Sequence, residues 1–220
     1  MGIAKLLRVG AGKDLTRAVD EAVRVVRKGG LIVYPTETLY GIGADPWNEE
    51  ALARIGQVKR RPDGKPILLV ASSFDAAGTF VHGVSPAAVK LMERFWPGPV
   101  TLVFTARDTV SSLLTQGTGR IGVRVSSHPL TRRIAEGLGG PLTSTSANVS
   151  GEPPPTDVAG IMGALGNGID LYLDAGVLAP SSPSTVVDVS TDDPLLLREG
   201  VVTYDTLLEI IPSMRTTKHE

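Results

Sequence analysis

Apolar residues recur at helical spacing in several stretches of the chain, each bounded by residues that begin or end helices. After Asp14, a good helix N-cap, apolar side chains recur every three or four positions from Leu15 to Val26, and two glycines follow shortly after. This pattern predicts an amphipathic helix over about 14–28. Further helices are predicted behind Asn48, behind Ser85 and Pro86, over 129–138, from about 156, and over about 204–210.

Short apolar runs alternate with these helices along the chain. Residues 31–34 are wholly apolar, contain β-branched side chains and are too few for a helix, which predicts a strand buried on both faces. In residues 121–125 the apolar positions alternate with Gly122 and Arg124, which predicts a strand that buries one face only. Other strands are predicted at 67–70, 100–105, 171–173, 185–189 and 195–197.

The arrangement of these elements indicates one α/β domain. Helices and strands are mixed over the whole length, and no repeat, long linker or change of composition separates two regions. Because several strands follow one another without a crossover helix, a mixed β-sheet with flanking helices is favoured over a purely parallel sheet. We expect this domain to occupy residues 1–213, followed by a polar tail over 214–220 that is frayed from Thr216.

Composition excludes several kinds of chemistry. The chain has 220 residues and no cysteine, which excludes thiol catalysis, cysteine-ligated zinc and iron–sulfur clusters. His82, His128 and His219 form no ligand spacing, so no metal site is expected. The balance of 22 Lys and Arg against 23 Asp and Glu argues against extensive coating by nucleic acid. No apolar run suits a signal peptide or a membrane span, so a cytoplasmic location is expected.

One predicted loop concentrates positive charge. Residues 59–65 read KRRPDGK and place four cations between a predicted helix and a predicted strand. Cations this close together repel one another unless an anion lies between them, which makes the loop a predicted phosphate site. The alternative is that Lys59 and Arg60 interact with the C-terminal end of the preceding helix, which leaves Arg61 and Lys65 unexplained.

Two other segments present polar groups that suit a ligand. Residues 144–148 read STSAN at a predicted strand end, where hydroxyls and an amide can bind a ligand or simply form a polar turn. Arg120 and Arg124 share a strand face with Gly122 between them, which suits either an anion or a solvated, salt-bridged face. The chain contains neither a complete dinucleotide fingerprint nor a Walker lysine motif.

Seven motifs occur in an order that resembles a known family. They are YPTETLYG at 34–41, KRRP at 59–62, FWPGPVTL at 95–102, VRV at 123–125, SANVSG at 146–151, STVVD at 184–188 and LREG at 197–200. Together they resemble the short form of the YrdC-like threonylcarbamoyl-AMP synthases, over about residues 14–211. The resemblance implies a twisted α/β sheet folded around a basic cavity. It also implies a nucleotidyltransferase that forms threonylcarbamoyl-AMP and pyrophosphate from L-threonine, bicarbonate or CO₂, and ATP.

The resemblance further implies roles for residues that match the family motifs. Lys59 and Arg61 are expected to contact the ATP phosphates and to act in catalysis. The other expected nucleotide contacts are Lys65, Arg120, Ser146, Asn148 and Arg198. The expected threonine contacts are Thr38, Arg124, Ser144 and Ser184, with Arg124 as the partner of the substrate carboxylate. Mg²⁺ is expected to arrive with ATP, and the sequence offers neither a dedicated metal ligand nor an identifiable general base.

Two departures from the family pattern and three alternatives accompany this interpretation. Val70 stands near the place where some members have a threonine-contacting histidine, and Pro154 stands where others have a nucleotide-side serine. The alternatives are a nucleotide- or RNA-binding paralogue without synthase activity, a carbamoyl-transfer module of hydrogenase maturation, and a structural RNA-binding domain. The intact pairs Lys59/Arg61 and Ser146/Asn148 count against the paralogue. The absence of cysteine counts against the carbamoyl-transfer module, and the near-neutral charge counts against the structural RNA-binding domain.

The resemblance also implies a place in tRNA modification. The product is expected to pass to a separate tRNA threonylcarbamoyl transferase complex, which uses it to form threonylcarbamoyladenosine. Binding of tRNA or double-stranded RNA by this chain is a secondary expectation, and no membrane partner is expected.

Overall fold

The computed structural model describes residues 4–60, 65–179 and 181–217. The strands are β1 (Lys5–Arg8), β2 (Ile32–Tyr34), β3 (Gly41–Gly43), β4 (Leu68–Ala71), β5 (Val100–Thr105), β6 (Arg120–Val125), β7 (Leu142–Ser146), β8 (Leu171–Asp174), β9 (Thr185–Asp188), β10 (Leu195–Arg198) and β11 (Arg215–Thr216). The α-helices are α1 (Lys13–Arg27), α2 (Glu49–Val58), α3 (Phe74–Ala77), α4 (Pro86–Phe95), α5 (Ser112–Thr115), α6 (Pro129–Leu138), α7 (Val158–Leu165) and α8 (Tyr204–Leu208), and a short 3₁₀ helix covers Gly166–Gly168.

The strands form one large twisted sheet in the order β1-β8-β2-β3-β7-β4-β6-β5-β9-β10-β11. Strands β1 and β2 both run parallel to β8, whereas β3 runs antiparallel to β2 and to β7. At the centre, β6 is parallel to β4 and antiparallel to β5. The predicted α/β fold with a mixed sheet and flanking helices is therefore confirmed.

Two apolar cores cover the two faces of the sheet. Strand side chains alternate between faces, so Val33 packs with the buried sides of α2, α4 and α7, while Ile32 and Tyr34 pack under α1 and α6. Ala22 of α1 and Ile134 of α6 lie in this second core, fully buried. The helices form because their apolar positions fall on one side and meet these strand side chains.

Side chains at the helix starts explain most of the helix boundaries. Asn48 accepts a hydrogen bond from the Ala51 amide at 3.0 Å, and Ser85 accepts one from the Ala88 amide at 3.2 Å, so both predicted N-caps are confirmed. Helix α1 begins earlier than predicted. Gly12 occupies its N-cap position without any side-chain cap.

Strand β6 is buried on both faces, so the prediction that it buries one face was wrong. Ile121 and Val123 point into the core covered by α2, α4 and α7. Gly122 and Arg124 lie on the opposite face, where they line an internal cavity, and Arg124 is only 6% exposed. The alternation of apolar and polar residues was correct, but Gly122 and Arg124 of the polar face are buried, and exposure in this strand is confined to Arg120 at its start.

The C-terminal end of the chain adds a strand to the sheet. Leu195 and Leu196 of β10 pair in parallel with Arg215 and Thr216 of β11, and Met214 is buried. The predicted boundary of the polar tail at 214 was therefore too early, and fraying at Thr216 was wrong. Residues 218–220 of that predicted tail fall outside the described residues.

Candidate active site

A cavity of about 980 Å³ lies against one face of the sheet. Strands β3 to β7, β9 and β10 contribute to its walls, together with the loops that precede β3, follow β7 and precede β9. Leu68 of β4 lines the cavity, whereas Val70, two residues further along the same face, packs in the core under α1 and α6. The cavity therefore adjoins that core, and the Val70 departure lies outside its lining, while Pro154 is part of it.

Every predicted site residue that the structure describes lines this cavity. These residues are Thr38, Lys59, Lys65, Arg120, Arg124, Ser144, Ser146, Asn148, Ser184 and Arg198. Arg61 falls outside the described residues. The described lining contains lysines and arginines but no Asp, Glu or His, although the chain as a whole has a formal net charge of -1. A concentration of one sign of charge in a cleft favours an anionic ligand.

Gly122 lies between the two arginines of β6 and lines the cavity without adding a side chain. A Cβ atom at this position would lie 2.4 Å from Leu68 Cδ2 and 3.3 Å from Thr101 Cγ2. The side chains of β4 and β5 therefore approach the β6 backbone where a larger residue would separate them. The glycine explains how one strand face can present Arg120 and Arg124 to the same cavity.

Arg124 is a buried cation held by the loop that follows β2. Its Nη1 donates a hydrogen bond to Thr38 Oγ1 at 3.1 Å and lies 3.2 Å from Glu37 Oε1 as an ion pair. The other carboxylate oxygen of Glu37 accepts a hydrogen bond from the Ser126 hydroxyl. A charge removed from water requires such compensation, so Glu37 and Ser126 belong to the site although sequence reasoning assigned them no role.

The loop that carries Thr38 is fixed by its own threonines. The Thr36 hydroxyl donates to the Leu39 carbonyl oxygen at 2.6 Å and accepts from the Thr38 and Leu39 amides at 3.2 and 3.1 Å. Such local hydroxyl–backbone bonds stabilise a turn against helix or strand geometry. The threonines of the YPTETLYG motif therefore place Thr38 beside Arg124.

Ser184, which directly precedes β9, contributes another hydroxyl group to the cavity lining. Ser184 Oγ is 2.9 Å from the buried Thr101 Oγ1, and Arg198 donates to the Ser184 carbonyl oxygen from Nη2 at 2.8 Å and from Nε at 3.2 Å. Burial lowers the pKa of Arg198, and the positive charge of Arg124 lowers it further. An anion bound near Arg198 favours its charged form and opposes both effects.

Lys59 anchors the turn after β7. It is 2% exposed, and its ammonium donates to the carbonyl oxygens of Ser146 and Asn148, the second at 2.8 Å, and to Asn148 Oδ1 at 3.3 Å. The Asn148 amide group in turn donates to the carbonyl oxygens of Val149 and Glu152 at 2.9 and 2.6 Å. This anchoring role for Lys59 and Asn148 was not predicted from the sequence.

Arg120 is paired with a buried carboxylate two strands away. Its Nη1 donates to Asp188 Oδ2, and Asp188 Oδ1 accepts from the Ser190 amide at 2.9 Å and from its hydroxyl at 2.6 Å. Both arginines therefore form ion pairs and also line the cavity, but Arg124 is buried and not solvated. Asp188 lies in the STVVD motif, which was the available signal for its importance.

The His, Asp and Glu side chains of the described residues are not arranged to bind a metal ion. No group of three or more metal-binding side chains comes together in the described part of the chain. Glu37 and Asp188, which contact cavity arginines, are already paired with them. A hard cation such as Mg²⁺ prefers several oxygen ligands, and these carboxylates are not arranged to supply them.

Across ranges 4–60, 65–179 and 181–217, no helix has the length and apolarity needed to cross a membrane.

The fold and the cavity define a class: α/β proteins whose mixed sheet carries a basic cavity on one face. Within that class, the chain belongs to the Sua5/YciO/YrdC family. The family model, which bears the description "Telomere recombination", matches residues 24–200. The family resemblance inferred from the motifs is confirmed.

Relatives and solved structures agree with this membership. A protein of Coxiella burnetii named threonylcarbamoyl-AMP synthase is 37% identical over 185 residues, which cover 84% of this chain and 99% of the relative. The structure of Pyrococcus abyssi Sua5 complexed with L-threonine matches with a TM-score of 0.89 and 30% identity, over 98% of this chain and 62% of that one. Escherichia coli YciO matches with a TM-score of 0.83 and 31% identity, over 94% of this chain and 100% of that one. The chain thus spans the short relatives fully and about 62% of the Pyrococcus structure.

Proposed function

We propose that this chain is a threonylcarbamoyl-AMP synthase, which forms threonylcarbamoyl-AMP and pyrophosphate from L-threonine, bicarbonate or CO₂, and ATP. One observation carries the proposal. The described site residues that match the family motifs converge on one basic cavity, in a chain whose relatives bear the name of this enzyme.

Arg124 and the hydroxyl groups around it support a threonine subsite. The contacts of Arg124 with Thr38 and Glu37 both use Nη1, and the side chain lines the cavity. A guanidinium edge can bind a carboxylate through two parallel hydrogen bonds. The hydroxyls of Ser144 and Ser184 line the same cavity and suit the amine and hydroxyl groups of threonine.

The remaining cations support a nucleotide subsite. Arg120, Lys65 and Arg198 line the cavity, and the sequence motif adds Arg61. Cations of this kind neutralise a triphosphate, and arginine also offers two parallel N–H donors. Lys59 and Asn148 support the subsite by holding the Ser146 turn in place, because their polar groups bond to that turn.

The proposed reaction has two steps. The threonine amine adds to CO₂ with loss of a proton, or to bicarbonate with loss of water, to form a carbamate. An oxygen of the carbamate then attacks the α-phosphorus of ATP, and the bond to the leaving pyrophosphate breaks. Negative charge grows on the phosphoryl oxygens and the leaving group, and fixed cations aimed at these atoms stabilise the transition state. The described lining offers no Asp, Glu or His, so no side chain is assigned as general base.

Mg²⁺ enters the proposal as part of the substrate. The described residues provide no cluster of ligands for it, and Mg²⁺ commonly binds through nucleotide phosphates while keeping several waters. We therefore propose that the ion arrives with ATP. Chelation by EDTA is then expected to stop turnover without changing the melting temperature of the ligand-free protein. A lower melting temperature would indicate a metal site within the protein and contradict this proposal.

The decisive test is threonine-dependent pyrophosphate release. The protein is incubated with Mg²⁺, ATP and bicarbonate, with and without L-threonine, and pyrophosphate is measured over time. Release only with L-threonine supports the synthase, and L-serine serves as a matched control for the substrate methyl group. Absence of threonine-dependent release, with ATP binding retained, would favour the alternative of a nucleotide- or RNA-binding paralogue.

The fate of the product and the location of the enzyme are also proposals. Threonylcarbamoyl-AMP is a reactive mixed anhydride, so its use requires a transferase that accepts the threonylcarbamoyl group. We propose that a separate complex transfers this group to adenosine in tRNA in the cytoplasm, where ATP and tRNA are both available. Addition of a transferase and tRNA to the assay tests this transfer directly.

A further inference from the structure

Each of two cavity arginines is held by a carboxylate that does not itself line the cavity. Glu37 pairs with Arg124, and Asp188 pairs with Arg120. Both carboxylates are largely shielded from water, with side chains 15% and 7% exposed. Neither residue belongs to the described lining of the cavity, so any effect on a ligand must act through its arginine.

Glu37 has one polar contact at each carboxylate oxygen, and only one of the two is a hydrogen bond. Oε1 forms the ion pair with Arg124 at 3.2 Å, and the other oxygen accepts from the Ser126 hydroxyl. Ser126 is itself held, because its Oγ accepts from the His128 amide at 3.1 Å. The hydrogen bond from Ser126 and the ion pair with Arg124 place the negative charge of Glu37 beside the Nη1 end of the Arg124 guanidinium.

The charge of Glu37 also bears on the two arginines that share the cavity. The positive charge of Arg124 adds to the effect of burial in lowering the pKa of Arg198, so a carboxylate paired with Arg124 reduces the cost of keeping Arg198 charged before a substrate binds. Arg198 has a different support, since its guanidinium donates to the Ser184 carbonyl oxygen. Glu37 therefore acts on the threonine side of the cavity.

Asp188 accepts hydrogen bonds at both of its carboxylate oxygens. One of its oxygens accepts from Arg120, and the other accepts from the amide and the hydroxyl of Ser190. Arg120 is half-exposed, with 47% of its side chain accessible, whereas Asp188 is buried. A rigid anion thus holds a long and otherwise mobile side chain at the rim of the cavity.

We propose that Glu37 and Asp188 are positioning residues for separate substrates: Glu37 orients Arg124 toward the carboxylate of threonine, and Asp188 orients Arg120 toward the phosphates of ATP. This inference rests on the proposed function. It adds two residues that touch no substrate, and it predicts that each affects one KM and spares the other.

The test is a comparison of Glu37→Gln and Asp188→Asn, which keep the side-chain shape and remove the charge. In the pyrophosphate assay, Glu37→Gln is expected to raise the threonine KM about tenfold, the order associated with losing a charge-assisted bond. The ATP KM should change by less than about twofold, because Arg120, which the proposal assigns to ATP, is paired with Asp188 and not with Glu37. Asp188→Asn is expected to give the opposite pattern. Glu21→Gln removes a carboxylate paired with Lys5 and Arg24 on α1 and serves as the matched control with both KM values unchanged.

Other outcomes separate a positioning role from a structural one. Equal changes in both KM values in either variant, or unchanged KM values with a lower melting temperature, would overturn the proposal. If a variant fails to fold, Glu37→Asp and Asp188→Glu keep the charge but alter its reach, and the same substrate-specific shifts are expected. If the unmodified protein shows no threonine-dependent pyrophosphate release, the proposed function fails instead. Calorimetric titration with L-threonine and with ATP then decides the positioning roles, because loss of one binding event without the other still supports them and equal loss overturns them.

Discussion

The ammonium group of Lys59 donates to the Asn148 carbonyl oxygen at 2.8 Å, which joins the end of α2 to the turn after β7. In Lys59→Met this carbonyl and that of Ser146 lose their shared donor. We expect the free energy of unfolding to fall by about 1–3 kcal/mol and turnover to fall with it, measured by urea denaturation and pyrophosphate release. The exposed Lys90 provides the control, since Lys90→Met should change stability by less than about 0.5 kcal/mol. Unchanged stability of Lys59→Met would contradict the anchoring role.

Arg124→Lys tests the threonine subsite. Lysine keeps the positive charge but presents a single ammonium in place of the planar edge that binds a carboxylate with two hydrogen bonds. We expect the threonine KM to rise by about tenfold or more, the order of a lost charge-assisted hydrogen bond, with the ATP KM nearly unchanged. Threonine titrations at saturating ATP measure this. A threonine KM equal to that of the unmodified protein would show that the carboxylate binds elsewhere.

Arg61→Ala tests the part of the phosphate site that the motif alone predicts, because Arg61 lies outside the described residues. We expect turnover to be abolished while thermal unfolding stays cooperative, since a cation on the transferring phosphates stabilises charge that develops in the transition state. Arg60→Ala at the neighbouring exposed residue should retain turnover. Full activity of Arg61→Ala would show that the phosphate contacts were assigned to the wrong cation.

Gly200→Ala probes the support beneath Ser184. A Cβ at position 200 would lie 2.1 Å from the Pro183 carbonyl oxygen and 2.7 Å from the Ser184 carbonyl carbon, so the backbone must move. We expect a stability loss of about 1–3 kcal/mol and a higher threonine KM. Gly163→Ala in α7 is the control, because nothing lies within 4 Å of its added Cβ, and it should be neutral or stabilising by up to about 1 kcal/mol. Comparable losses of stability in Gly200→Ala and Gly163→Ala would contradict a specific steric role for Gly200.

His128 gives a predicted pH dependence of stability. Burial lowers its pKa from the ordinary value of 6.5, and the charge of Glu37 opposes this only in part. The unfolded chain therefore binds the proton more readily, so this contribution to stability is complete above pH 6.5 and is lost as the pH falls through the lower folded pKa. Urea denaturation at a series of pH values should show that the free energy of unfolding declines less for His128→Asn than for the unmodified protein as the pH falls below 6.5. An identical decline in both proteins would exclude His128 as its source.

Helices with clear caps and strands with strong apolar patterns were predictable, whereas short or polar strands were not. Strand β2 and the helices behind Asn48 and Ser85 follow from local composition and capping chemistry. Strands β1, β3 and β11 were missed, because they contain few apolar residues or are Gly-rich and form only when a neighbouring strand supplies hydrogen bonds. For β7, the sequence showed polar hydroxyls, and pairing with β3 and β4 decided the strand.

The sequence by itself determined the alternation of elements, the family motifs and the identity of the cavity residues that match them. It could not determine the partners of those residues, because the bonded pairs lie far apart along the chain, with Arg124 and Thr38 separated by 86 residues and Lys59 and Asn148 by 89. Such contacts depend on strand order and register, which periodicity does not encode. Only the tertiary structure therefore revealed that Glu37 and the buried Asp188 pair with two cavity arginines, and that the polar face of β6 borders a cavity.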